Sequence, residues 1–145
     1  MNSEFEPTPL TLETLRATVS GTFFTEALRG EVLACADGRA ELTAPIGPDI
    51  LQYAGAAYGG VVAFLADVVG VWACASIIGL NVSSQMNIHF LAPAVGERLI
   101  GRGSVIRAGR TISVAQSEIY VIRNGQESLV ATATVTAVPA SPKRL

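Results

Sequence analysis

The sequence predicts an α+β domain in which an antiparallel sheet curls around one long buried helix. Three observations carry that expectation. Residues 58–79, YGGVVAFLADVVGVWACASIIG, place apolar side chains almost all round a helix, with Asp67 the one charge among them. Beyond that stretch the apolar period changes to two and stays there to residue 138. A shorter alternating pair, EVLACADGRAELTAP, precedes it. A helix that is apolar nearly all round must be covered on most of its circumference, and a curled sheet is the economical cover.

Along the chain, the first ten residues carry Pro7 and Pro9 and little pattern, as a loose arm would. Thr11 stands as N-cap of a short helix, with Thr14 three residues on and Leu12, Leu15 and Val19 at helical spacing. Asp37-Gly38 is a two-residue turn between two antiparallel strands. Residues 45–57, with Gly47, Pro48 and Gly55, form a loop into the long helix at Tyr58. Length selects helix there, because strands rarely run so far without a turn, and Gly79 and Asn81 supply the stop.

The strand over 82–91 puts Ser84, Met86, Ile88 and Phe90 on one side and Ser83, Gln85, Asn87 and His89 on the other, and Pro93 ends it. Strands follow over 98–108, over 111–122 after a tight Gly109-Arg110 turn, and over 129–138 after the hairpin dipeptide Asn124-Gly125. The organisation is an arm and short helix over 1–20, one domain over 21–140 and a tail over 141–145.

With 145 residues the chain is long enough for one core. Half its residues are apolar and only 15% are charged, which leaves more apolar surface than a small monomer hides. Burial between subunits is the expected remedy, in a homodimer or a dimer of dimers. The net charge of −2 and the absence of a basic run exclude a nucleic-acid footprint. Cys35 and Cys74 are the only thiols and His89 the only histidine, a set that suits neither a metal site nor a disulfide framework. The acidic start MNSEFEPTPL does not read as a secretory signal, so a reducing cytoplasm is the default. Residues 54–80 could span a bilayer by length, but no Lys or Arg flanks them and a midplane Asp costs roughly 2.5–3.5 kcal/mol. A membrane is therefore not expected as a partner.

Two features point to a site. Gly60, Ala63, Asp67, Gly70 and Cys74 fall at offsets of three or four on the helix, a stripe of small residues around one acid. Such a stripe leaves room for a strand, a second subunit's backbone or a substrate, and a carboxylate buried there needs compensation worth several kcal/mol. At the helix entry, Gly59 and Gly60 expose backbone N–H donors that favour an anion or a polarised carbonyl oxygen. The plainer readings are turn chemistry for the glycines and a hydrogen-bonded structural role for the acid. His89 reads as a surface or interface residue and Cys74 as packing.

The stretch QYAGAAYGGVVAFLAD resembles the Asn-x-x-Gly-x-x-His-Gly-Gly-x6-Asp signature of hotdog-fold acyl-CoA thioesterases of the PaaI type. The likeness continues through SSQMNIHFLAPAVGERLIGRGSVIRAGRT and covers residues 30–138. It implies a hotdog fold and hydrolysis of an acyl-CoA thioester without metal or separate cofactor, coenzyme A being part of the substrate. Asp67 matches the family's catalytic carboxylate, general base or nucleophile. Gly59, with Gly60 beside it, matches the glycine whose N–H polarises the thioester carbonyl. Gln52 stands where the family has Asn, and Tyr58 where it has His. Ser83 matches a Ser or Thr near the partner subunit's carboxylate, and Arg107 and Arg110 match basic residues that meet the CoA phosphates. In the family each site joins a helix tip from one chain to an acid from the other. The alternatives are a non-catalytic binder of acyl-CoA or another apolar ligand, and a face used only for oligomerisation. A hotdog dehydratase would need a His and acid pair, which Tyr58 does not supply.

Overall fold

Thr11 opens the first helix, α1 (Leu12–Val19), by reciprocal capping. The Thr14 N–H donates to Thr11 Oγ1 while the Thr11 N–H donates to Thr14 Oγ1. A one-turn helix α2 (Phe23–Glu26) follows, then the hairpin β1 (Glu31–Ala36) and β2 (Arg39–Pro45), the central helix α3 (Gly59–Ile78), and strands β3 (Asn81–Phe90), β4 (Arg98–Arg107), β5 (Ser113–Arg123) and β6 (Gln126–Pro139). The structure, a computed structural model, describes residues 7–141. The six strands form one antiparallel sheet in the order β1-β2-β4-β5-β6-β3. Both two-residue hairpins are as expected: Asp37-Gly38 and Asn124-Gly125 adopt positive φ at both positions, the geometry that matches strand twist.

The sheet wraps α3 closely because both partners shed side chains where they meet. A Cβ on Gly103 of β4 would collide with the Val69 carbonyl, and one on Gly70 would lie 2.8 Å from both Ser117 Oγ and Val135. Ser117 Oγ donates to the Ala66 carbonyl at 2.7 Å, so the one hydroxyl in that contact is satisfied. Around it Leu42, Leu65, Leu99, Ile119, Val69 and Val135 are inaccessible to solvent. Truncating one such leucine to alanine costs about 2–5 kcal/mol. By length and composition α3 could cross a bilayer, but 61% of its most apolar window is buried as the core of this subunit. At its end Gly79 turns the chain with φ 72°, and Asn81 Nδ2 donates to the Val71 and Gly79 carbonyls.

The structure departs from the sequence pattern in three places. Residues 7–10 are not a loose arm: the Leu10 N–H donates to the Ala75 carbonyl at 2.8 Å and the Thr8 backbone lies against Gly79. That segment leads into α1, whose Leu15 and Val19 join the same core as the sheet, as does Phe24 of the unanticipated α2. Gly109-Arg110 is not a two-residue turn. β4 runs through a register shift between Val105 and Arg107 to its last pair, Arg107 with Val114, and residues 108–112 form a longer loop in which the Gly109 N–H donates to Ser113 Oγ. Finally, a shift between Ser83 and Gln85 breaks the β3 alternation near its start, although Met86 and Ile88 still turn toward the helix. β1 and β3 are the free edges of the sheet, and Ser83, Gln85, Asn87 and His89 lie exposed on β3.

Candidate active site at the tip of the central helix

A backbone clamp sets the direction in which the chain enters α3. The Tyr58 N–H donates to the Ile50 carbonyl at 2.9 Å and the Ala57 N–H to the Ala94 carbonyl at 3.0 Å. Within the clamp Gln52 closes a small turn. Its N–H donates to the Ala56 carbonyl at 2.8 Å, the Gly55 N–H donates to its carbonyl at 2.9 Å, and the Ala54 N–H donates to its Oε1 at 2.5 Å. The Gln52 amide nitrogen is the end left without a partner among the described residues.

At the tip, Tyr58 occupies the N-cap in extended backbone and its side chain caps nothing. The Val61 and Val62 N–H groups both donate to the Tyr58 carbonyl, leaving the Gly59 and Gly60 N–H groups without a partner among the described residues. Neither glycine has positive φ. A Cβ on Gly60 would meet nothing within 4 Å, and one on Gly59 only the Phe90 ring at an ordinary 3.5 Å. The chain's own packing therefore does not require glycine at either position.

Beside the tip opens a groove of about 400 Å³, walled by Gln52, Gly59, Val62, Phe90, Leu91 and Pro93 with alanines between them. Among the described residues no charged side chain lines it. Of the residues singled out from sequence, Gln52 and Gly59 meet here, with Gly60 and the exposed Tyr58 adjoining.

Asp67 stands apart. It lies eight residues into α3, about 12 Å along the axis from Gly59. Its carboxylate is half-buried, not enclosed, and has no hydrogen bond or ion pair among the described residues. The expected stripe divides around it. Gly60 and Ala63 share its open side, whereas Gly70 and Cys74 are buried, Gly70 against Ser117 and Val135. Successive steps of three and four drift around the helix, so a stripe by spacing need not share one environment. Burial pushes the Cys74 thiol up to about 11, which keeps it protonated and supports the packing role.

Ser83 sits near the start of β3, about 23 Å along the strand from Phe90 at its other end. Arg107 closes β4 at the end away from the groove-lining Ala94, with Arg110 in the loop beyond, and both are exposed. One subunit therefore does not bring Asp67, Ser83, Arg107 or Arg110 to the groove. His89 is exposed on the free edge strand. Among the described residues no three His, Cys, Asp or Glu side chains converge as a metal site would need.

The groove's far wall, Phe90, Leu91 and Pro93, was not evident as functional from the sequence. Alternation assigns Phe90 to the inward face with Met86 and Ile88, yet it is 55% exposed. A large apolar pair at the end of a strand, directly before a proline loop where the core has run out, was the available signal.

The sequence pattern of the thioesterase superfamily matches residues 54–128, just over half of the chain and inclusive of the helix tip, Asp67 and the groove's far wall. No curated protein matches by sequence. Among solved structures, a thioesterase family protein from Silicibacter pomeroyi superposes with a TM-score of 0.82 at 28% identity, over 86% of this chain and 93% of that one. Zebrafish thioesterase superfamily member 2 gives 0.75 at 29% identity, over 90% and 99%. A point mutant of the phenylacetic acid degradation protein PaaI from Thermus thermophilus gives 0.70 at 28% identity, over 81% and 98%.

Proposed function

Because the chain belongs to the thioesterase superfamily and has the PaaI-type hotdog fold, we propose that it hydrolyses an acyl-CoA thioester to the free acid and CoA. The observation that carries this reading is the pair of unpartnered N–H groups of Gly59 and Gly60, opening beside an uncharged groove that also holds Gln52. Such donors stabilise the negative oxygen that forms as a carbonyl becomes tetrahedral, and one of them is worth about 2.7–4 kcal/mol.

In this reading the thioester carbonyl oxygen rests on the helix tip and the Gln52 amide orients the carbonyl or the attacking water. Asp67 takes a proton from that water, or attacks the carbonyl carbon itself. The tetrahedral intermediate then collapses, the C–S bond breaks, and the CoA thiolate leaves and takes up a proton; where Asp67 itself attacks, the acyl-aspartyl anhydride left behind is then cleaved by water, which releases the acid and restores the carboxylate. Tyr58 flanks the substrate, and Arg107 and Arg110 take the CoA phosphates.

A carboxylate about 12 Å along the helix from the tip is out of hydrogen-bond reach of anything bound there. The mechanism therefore needs the tip of one subunit and the Asp67 of another, with Ser83 close to the carboxylate it serves. The free β3 edge, which carries exposed Val82, Ser83 and Gln85, suits such pairing in a dimer or dimer of dimers. No metal or cofactor enters this scheme, and the cytoplasm is its setting.

A non-catalytic acyl-CoA binder is the second reading. It is favoured by the bond that ties Gln52 Oε1 into its own turn and by the phenol that stands at position 58 in place of the family's imidazole. Thiol release from short, medium, long and aromatic acyl-CoAs, with Asp67→Asn as control, separates the two. Turnover that vanishes in the variant is the expected result. Saturable binding with no thiol released would favour the binder, and no binding of any ester would overturn both. A monomer by light scattering at micromolar concentration would overturn the shared site.

A further inference from the structure

We propose that Phe90 is a specificity residue that selects an uncharged acyl group, an inference that rests on the thioesterase reading. Its ring edge stands 3.5 Å from where a Cβ on Gly59 would be, so the ring touches the space beside the donor that holds the carbonyl. A substrate whose carbonyl oxygen accepts from the Gly59 N–H can therefore lay one of its two substituents along that ring.

The ring is carried by a rigid support. Phe90 pairs with Ala131 in the β3–β6 ladder, and the next N–H, from Leu91, donates to the Val130 carbonyl at 2.8 Å. More than half of Phe90 is nevertheless exposed, and Leu91 beside it equally so. A bound apolar group would remove that surface from water.

The lining chemistry decides which substituent this is. Among the described residues Gln52 is the only polar side chain in the groove wall, and no charged side chain lines it. The pantetheine side of the thioester carries two amides that need hydrogen-bond partners, whereas a hydrocarbon acyl chain needs none. An acyl group ending in a second carboxylate would lose its hydration here with no cation to compensate. The groove thus takes the acyl side and rejects dicarboxylic acyl groups.

The test compares kcat/KM for acetyl-, hexanoyl- and succinyl-CoA in the wild-type oligomer, Phe90→Ala and Phe90→Leu, with thermal unfolding as a check on folding. The wild type is expected to favour hexanoyl-CoA over succinyl-CoA by at least about tenfold. Phe90→Ala is expected to reduce the hexanoyl-to-acetyl ratio by about tenfold, and Phe90→Leu to restore most of it. If the alanine variant does not fold, a smaller drop of the same ratio in the leucine variant carries the test. Equal losses for both esters, or wild-type turnover of succinyl-CoA as fast as hexanoyl-CoA, would overturn the proposal while leaving the thioesterase reading intact. No turnover of any ester by the wild type would bring down that reading and this proposal with it.

Discussion

In the C-terminal half of α3, Gly70 faces Ser117 and Val135 at distances that admit no further carbon, and Gly103 of β4 presses on the Val69 carbonyl. At the N-terminal tip, Gly59 and Gly60 have room for a methyl group and ordinary negative φ, yet carry none. The acids and donors divide the same way. Ser117 in the packed half is fully hydrogen-bonded into the helix, while the Gly59 and Gly60 N–H groups and the Asp67 carboxylate find no partner among the described residues of their own subunit. Small residues in one half are consumed by packing against the sheet, and in the other they leave backbone and carboxylate open. Glycine by itself does not distinguish these uses; what its missing Cβ would touch does.

The largest effect expected from this contrast is on turnover. Asp67→Asn should lower kcat by about 10²–10⁴-fold with an unchanged unfolding curve, because the side chain has no structural partner to lose among the described residues. A large drop in stability instead would place Asp67 with the packed half. Next, Gly103→Ala should destabilise by about 3 kcal/mol in denaturant unfolding, since the new methyl meets main-chain atoms of Val69 that cannot rotate away. Retained stability there would mean that the sheet and helix are not in firm contact.

Gly60→Ala tests the tip directly. Alanine favours helix over glycine by up to about 1 kcal/mol and meets nothing within 4 Å, so stability should hold or rise while thioester turnover falls several-fold. Unimpaired turnover would remove the tip's claim to be kept open for a substrate or partner chain. The smallest effect lies on the outer face of the sheet, away from both halves. There Arg102 holds Glu127 through two hydrogen bonds of 2.7 and 2.8 Å and keeps its carboxyl below the usual range. A depressed carboxylate stabilises above its unfolded pKa of roughly 4.3 and loses that contribution as pH falls through its folded value. Glu127→Gln should therefore cost about 0.5 kcal/mol at pH 7, a cost that shrinks as acidification protonates the carboxyl, and no activity at pH 7.

Much of the architecture was legible because it is written in local periods and turn chemistry. The apolar run from Gly59 to Ile78 has no other stable form than a covered helix, and Asp37-Gly38 and Asn124-Gly125 adopt the hairpin geometry their side chains favour. The docking of residues 7–10 and the short helix α2 were not legible, since each depends on contacts remote in sequence, and the 108–112 loop was not because Gly109-Arg110 by itself reads as a tight turn. The site divided likewise. Gly59, Gly60 and Asp67 stood out by type and spacing and Gln52 only through the family resemblance, but Phe90 looked like one more inward residue of β3 until the end of the core exposed it.

By itself the sequence determined that one helix must be wrapped by a sheet and that a lone carboxylate and two glycines lie on that helix, because periodicity and composition are properties of the chain. Only the tertiary structure decided which small residues are packed and which are free. It also decided that Asp67 and the helix tip stand too far apart to act together within one subunit. Those outcomes depend on how the sheet and the N-terminal segment close over a helix that is nearly apolar all round, and spacing along such a helix does not say which side they cover.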